Sequence, residues 1–272
     1  MMLSLGLLLF SLLSFAQDNC LEKFNTRHLS LTNAQNALSC YKTQADAGMS
    51  RELKTKSLSQ MSYLKFFIAE YHSDNKEELL LEGIEFAEKA ILLYGPKYTL
   101  ATYTALPAAE KSALAEALYH YGLTTARYID IKGQWEAIKR MEDIKKSMNT
   151  IIRMKEESTA FYGAHRTLGI FHIKVPFIAG GRIELARNFL TTALQQTSYS
   201  KDLSLYPANN VAYAELMFKE SQDKEGCYHA SLVASLNTED VAKMDNGLYL
   251  ETLQSVKDAK SLLQLKKCST LY

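Results

Sequence analysis

An all-α fold is what this sequence predicts, and three observations carry it. Glycine and proline are scarce, at 12 and 4 of 272 residues. Alanine, leucine, lysine, glutamate and glutamine, all strong helix formers, dominate the chain. Apolar residues recur at three- and four-residue spacing, whereas β-branched runs with strand alternation are hard to find. The expected architecture is an α-solenoid of antiparallel helix pairs. No pair buries its apolar face alone, so the pairs stack, as one domain over residues 17–272.

The elements follow from local signals. Residues 1–16 carry no charge and end in Ser14-Phe15-Ala16, small at both positions that a signal peptidase reads. The apolar run is too short to span a bilayer, so it reads as an export signal. Thr32 caps a helix to Ala47 that presents Ala34, Ala37, Leu38 and Tyr41, and Gly48 stops it. Lys56 to Tyr71 carries Leu58, Met61, Leu64, Phe67 and Ile68 on one face. Residues 72–75 break it, and Lys76 to Tyr94 presents Leu80, Gly83, Ala87, Ala90 and Ile91 before Gly95-Pro96.

Tyr98 to Pro107 reads as a loop with room for a short turn. Ala108 to Ile131 forms a helix with Leu114, Leu118, Tyr121 and Gly122 inward, and Gly133 separates it from a helix over Trp135 to Lys155. Residues 161–194 form a pair around Pro176 and Gly180-Gly181, with Ala186, Leu190 and Ala193 on one face of its second helix. A further helix from Ala208 carries Val211, Tyr213, Ala214, Leu216 and Met217, and turns at Asp223–Gly226 into a partner over Cys227 to Leu236. A last helix covers Leu248 to Lys267. A face with i, i+4, i+7 spacing therefore appears at 83/87/90, 137/141/144 and 186/190/193, at intervals of about 50 residues against about 34 in a tetratricopeptide repeat. The segment from Gly83 to Pro96 resembles the second helix of such a repeat.

Composition narrows the function. Lys plus Arg number 31 against 30 Asp plus Glu, which leaves no broad basic field for nucleic acid. The densest basic stretch, Lys139-Arg140 with Lys145-Lys146, is interleaved with Glu136, Glu142 and Asp143 and reads as a solvated helix face. Four cysteines in an exported chain suggest disulfides, and Cys20–Cys40 with Cys227–Cys268 would pin the two frayed ends of the array. The polar Gln17-Asp18-Asn19 before Cys20 argues against a lipid anchor there. There is no Cys/His cluster of zinc spacing, no phosphate-binding glycine loop and no nucleophile elbow, so neither metal, cofactor nor catalytic role is expected.

Candidate binding residues are few. Arg166 sits among Tyr162, His165 and Phe171, where a guanidinium can hold a ligand carboxylate or instead cap carbonyls or pair with an acid in the next repeat. His165 and His172, seven apart, share a helix face as packing or groove-lining residues. Trp135, the one tryptophan, stands at a helix entry, where it packs or lines a groove. Tyr119, Tyr121 and Tyr128 cannot all face one way, which leaves some of them to line a cavity. Gly180-Gly181-Arg182 reads as a tight turn or, less simply, an anion cradle.

Residues 161–216 add a resemblance. Arg166-x-Leu168-Gly169, then Pro176, then Gly180-Gly181, then Ala186-x3-Leu190-x2-Ala193, followed by Val211-Ala212-Tyr213-Ala214, resembles the T-component family of TRAP transporters. Tyr121-Gly122 before Trp135 is compatible with it, and the likeness extends over about residues 50–240. The resemblance implies a periplasmic, non-catalytic helical-repeat protein. It implies association with the substrate-binding P-component, a homo-oligomer, and a small hydrophobic or carboxylate ligand, for which Arg166, Tyr121, Trp135 and His172 are the candidate contacts. The alternative is a general scaffold for protein–protein interaction in the cell envelope.

Overall fold

The structure, a computed structural model, describes residues 19–47, 50–96, 100–244 and 247–268. The export signal at residues 1–16 and the stop at Gly48 lie outside the described residues. The described chain is all-α: α1 (19–25), α2 (Leu31–Asp46), α3 (Arg51–Tyr71), α4 (Lys76–Leu92), α5 (Leu100–Thr104), α6 (Ala108–Lys132), α7 (Gln134–Arg153), α8 (Gly163–Lys174), α9 (Ile183–Gln196), α10 (Ala208–Lys219), α11 (Asp223–Ala234), α12 (Thr238–Met244) and α13 (Tyr249–Leu265). One small antiparallel hairpin, β1 (Ser198–Ser200) and β2 (Leu203–Ser204), links α9 to α10. The expected domain over 17–272 comprises two compact units, one up to Glu156 and one from Glu157.

In the first unit, α3 and α4 run antiparallel, as Thr55 meeting Tyr94 (3.2 Å) and Lys65 meeting Glu82 show. α6 lies parallel to α3, with Arg51 on Glu110, Ser59 on His120 and Glu70 on Arg127. α7 returns antiparallel to α6, bringing Asp143 and Met148 to Tyr121 and Gly122. The faces read from the sequence are the buried ones here: Leu58, Met61, Leu64, Phe67 and Ile68 on α3, and Leu80, Ala87, Ala90 and Ile91 on α4. Gly83 lies where three helices converge. A Cβ there would stand 3.1 Å from both the Ser62 carbonyl and the Thr124 methyl. Arg27 is fully buried among aromatic rings, 4.2 Å from the Phe24 centroid and 5.1 Å from that of Phe67, and it donates to the Phe24 carbonyl.

In the second unit, α8 and α9 form one antiparallel pair and α10 and α11 the next. Ala186, Leu190 and Ala193 are wholly buried, and Ala186 and Leu190 pack against Ala212, Leu216 and Met217 of α10. Gly169 of α8 faces Leu190, whose side chain occupies the space a Cβ would need. The disulfides are Cys20–Cys40, with Cα atoms 5.5 Å apart, and Cys227–Cys268, at 5.6 Å. The first ties α1 to α2. The second ties α11 to the residues that follow α13, in a cluster with Ala214, Phe218 and Ala230. Cys20 is buried and bonded to Cys40, which leaves no thiol there for lipid.

Several boundaries differ from those expected. Ser30, not Thr32, caps α2, because its side chain accepts the Asn33 N–H at 3.1 Å. α3 starts at Arg51 because Ser50 accepts the Leu53 N–H. The short turn expected in the loop after residue 98 is the five-residue helix α5. Asp223–Gly226 is not a turn but the first turn of α11. The chain reverses instead at Ser221, with φ of 60°, and Gly226 lets the Phe218 ring come within 2.9 Å of where its Cβ would be. α12 was missed, although Asn237 accepts the N–H groups of Glu239 and Asp240, both at 2.9 Å, as a capping residue does. On α7 only Ile144 of the 137/141/144 set is buried. The helix buries Met148 and Ile151 instead, and Ala137 and Met141 are half-covered.

This packing can be tested at two positions. Gly169→Ala should lower stability by about 1–2 kcal/mol, although alanine is the better helix former by about 1 kcal/mol, because the added methyl must displace Leu190. Urea unfolding checks this, and equal or greater stability contradicts it. The second position is His120, which is buried with Nδ1 3.0 Å from the Ser59 carbonyl, an arrangement that assigns the neutral ring's proton to Nδ1. Burial pushes its pKa down to about 4, with the hydrogen bond to Ser59 opposing. The unfolded imidazole titrates near 6.5, so the unfolded state takes up the proton first on acidification. Stability is complete above about pH 6.5 and is lost towards pH 4. Relative to His120→Gln, the wild-type chain should lose up to about 3 kcal/mol across that window. A pH-independent difference between the two proteins would refute it.

Candidate functional site

The first unit presents one apolar edge. Gly133, with φ of +83°, ends α6 and begins α7, so the chain reverses through a single residue. This sharp reversal places Trp135 in the first turn of α7, where it is 81% exposed. Ile138, three residues on and so on the same face, is 68% exposed, and Ile131 at the end of α6 is 40% exposed. Trp135 therefore does not pack at the helix entry. It stands in solvent.

Charged groups border this edge in an ordered lattice. Glu136 accepts from Arg140 at 2.6 Å and from Lys139 at 3.4 Å. The Arg140 hydrogen bond leads in holding the Glu136 carboxyl below its ordinary range. Arg140 also lies 5.2 Å over the Tyr128 ring. Lys132 pairs with Glu77 at 2.8 Å. Tyr121 is buried beneath, its hydroxyl 3.5 Å from Asp143, and burial first, then the Asp143 charge, push its phenol well above the usual value. An apolar centre with a polar rim is the anatomy of a protein interface. Of the candidates, Tyr121 is buried where α6 meets α7, and Trp135 forms the centre of the edge.

Arg166 and His172 belong to the second unit. Arg166 is 7% exposed, donates to Asn209 Oδ1 at 2.8 Å and lies 4.5 Å over the Tyr206 ring. Asn209 in turn donates to the Phe161 carbonyl at 3.2 Å and to Thr197 Oγ1 at 2.9 Å. The next residue, Asn210, accepts from the Ser204 N–H at 2.8 Å and donates to the Asp202 carbonyl at 2.6 Å. This buried network joins α8, α9, the β1–β2 hairpin and α10. Arg166 also reaches a backbone carbonyl, that of Phe161, at 3.5 Å. His172 stacks parallel on Phe189 at 5.9 Å, and His165 meets the same ring edge-on at 5.8 Å, which is packing chemistry. Gly181 sits in a tight turn, donating to the Pro176 carbonyl at 3.1 Å.

Among the described residues, no group of three or more His, Cys, Asp or Glu is placed to hold a metal ion, and no helix is long and apolar enough to cross a membrane. Sequence reasoning missed Ile138 and the paired Asn209-Asn210. Ile138 had a signal: it is an isoleucine three residues after a tryptophan on an otherwise charged helix turn. The asparagines had one too, since two amides in a helix's first turn after Pro207 suit a buried cap.

Comparison with protein families places these elements. The family described as TRAP transporter T-component matches residues 87–268, from the middle of α4 through Cys268. The match includes the α6–α7 edge, the Arg166 network and the stretch after Leu236, where the sequence shows no clear likeness of its own. It begins later than the residue-50 limit of the resemblance. No match appears among curated proteins. With more than half of its length under that one description, the chain belongs to the TRAP transporter T-component family.

Proposed function

We propose that this chain is a non-catalytic, periplasmic accessory component of a TRAP-type transporter, and that it docks the transporter's substrate-binding P-component through the α6–α7 edge. One observation carries the reading: Trp135 and Ile138 stand in solvent, inside the family-matched segment, ringed by paired charges. Leaving a tryptophan hydrated forgoes its hydrophobic gain, which a partner's surface recovers on binding. Two disulfides suit a compartment outside the cytoplasm, and the uncharged segment 1–16 suits export. The family assignment supplies the class of partner.

The test is a titration of the mature chain against the purified substrate-binding protein of the same transporter. Trp135→Ser with Ile138→Ser should weaken binding by at least about thirty-fold, the effect of one lost hot-spot aromatic. Circular dichroism should not change, because both side chains are already in water. Unchanged affinity removes the docking role. So does a wild-type dimer that the double variant splits, since the edge would then be a contact between copies.

A further inference from the structure

The first unit also holds an amphipathic groove, of about 480 Å³, where α2 and α4 flank α3. Its volume falls within the roughly 300–1,000 Å³ of small-molecule sites. Leu58 and Met61 of α3 form the floor, and Phe86 and Leu92 of α4 form one wall. Three lysines, one from each helix, stand around it: Lys42, Lys54 and Lys89. Asp46 is the single acid that lines it. Lys89 lies 3.7 Å from Glu85, a distance that leaves its charge only loosely engaged. Among the described residues, neither Lys42 nor Lys54 has an ion-pair partner. Leu92 is 55% exposed although it borders an apolar trough.

We infer that this groove binds a single-chain amphiphile with an anionic head, of the class of a long-chain carboxylate. The apolar floor takes the chain. The lysines, whose aliphatic stems lie along apolar surface while their ammonium groups reach water, take the head. Charge decides between amphiphiles: three ammonium groups against one carboxylate disfavour a cationic head and give a neutral one no advantage. Seven of the ten lining residues precede residue 87, so the site lies mostly outside the family match, with Lys89, Leu92 and Leu93 inside it. The inference does not rest on docking at the α6–α7 edge.

Isothermal titration with dodecanoate below its micellar concentration tests it. The expected result is one molecule per chain, with dodecanol and dodecyltrimethylammonium at least ten-fold weaker. Lys42→Glu with Lys54→Glu should weaken dodecanoate at least ten-fold, and Leu92→Asp should do the same through the wall. These side chains are exposed or half-buried, so melting temperatures should hold, and Lys42→Gln with Lys54→Gln provides a milder pair if they do not. Failure of dodecanoate to bind, equal binding of dodecanol, or indifference to Leu92→Asp overturns the inference. So does a wild-type dimer that Leu92→Asp splits, which would seat a second copy in the groove. The same variants should leave affinity for the substrate-binding protein unchanged, so the two readings fail separately.

Discussion

Close helix approach is the constraint on which the rest of the structure depends. Several helix pairs meet where one side offers almost no side chain: Gly83 between α3, α4 and α6, Gly169 beneath Leu190, and Gly226 against the Phe218 ring. Ala186 and Ala193 act in the same way, a helical turn to either side of Leu190. Contacts this close exclude water from long stretches of both helices, and dispersion and burial then add over many atom pairs. They also leave little tolerance, since an extra methyl has nowhere to go. The two proposed binding surfaces, the α6–α7 edge and the α2–α4 trough, are accordingly built from residues outside these close contacts.

This explains which regions of the fold were legible. The set at 186/190/193 could be read because its spacing and its residue sizes agree, and a large residue flanked by alanines has one good use. The set at 137/141/144 has the spacing but not the sizes. Periodicity records which residues share a face; it does not record how far along the helix a neighbour covers that face. On α7 the cover lies over Ile144, Met148 and Ile151, so the pattern was right in phase and displaced by about two turns. The misplaced turn at Asp223–Gly226 has a related cause. Glycine signals both reversal and close approach, and only the partner, here Phe218, decides between them.

The candidate site was legible in composition and not in exposure. Trp135 stood out as the lone tryptophan, and a helix entry suggested packing because buried aromatics are the commoner case. That its face is left exposed among the described residues was signalled only by Ile138, an apolar residue on an otherwise charged turn. Arg166 stood out for the opposite reason, as a cation in aromatic surroundings. Its partner Asn209 lies 43 residues away in sequence, beyond the reach of any spacing argument.

What Arg166 does is clearer from the backbone it serves. Ala160, Phe161 and Tyr162 have φ of 51°, 54° and 58°, three successive side-chain-bearing residues in the left-handed region. Such residues cost about 1–2 kcal/mol each, and a run of them needs compensation close by. Asn209 donates to the Phe161 carbonyl, and Arg166 lies 3.5 Å from the same oxygen. The Phe161 ring stacks on Tyr206 at 5.7 Å, and the Arg166 guanidinium covers the Tyr206 ring as well. One buried cation thus steadies the strained residue through its carbonyl and through the ring against which its side chain rests. The positive charge that suggested a ligand clamp also lies against the entry into α8, the first helix of the second unit.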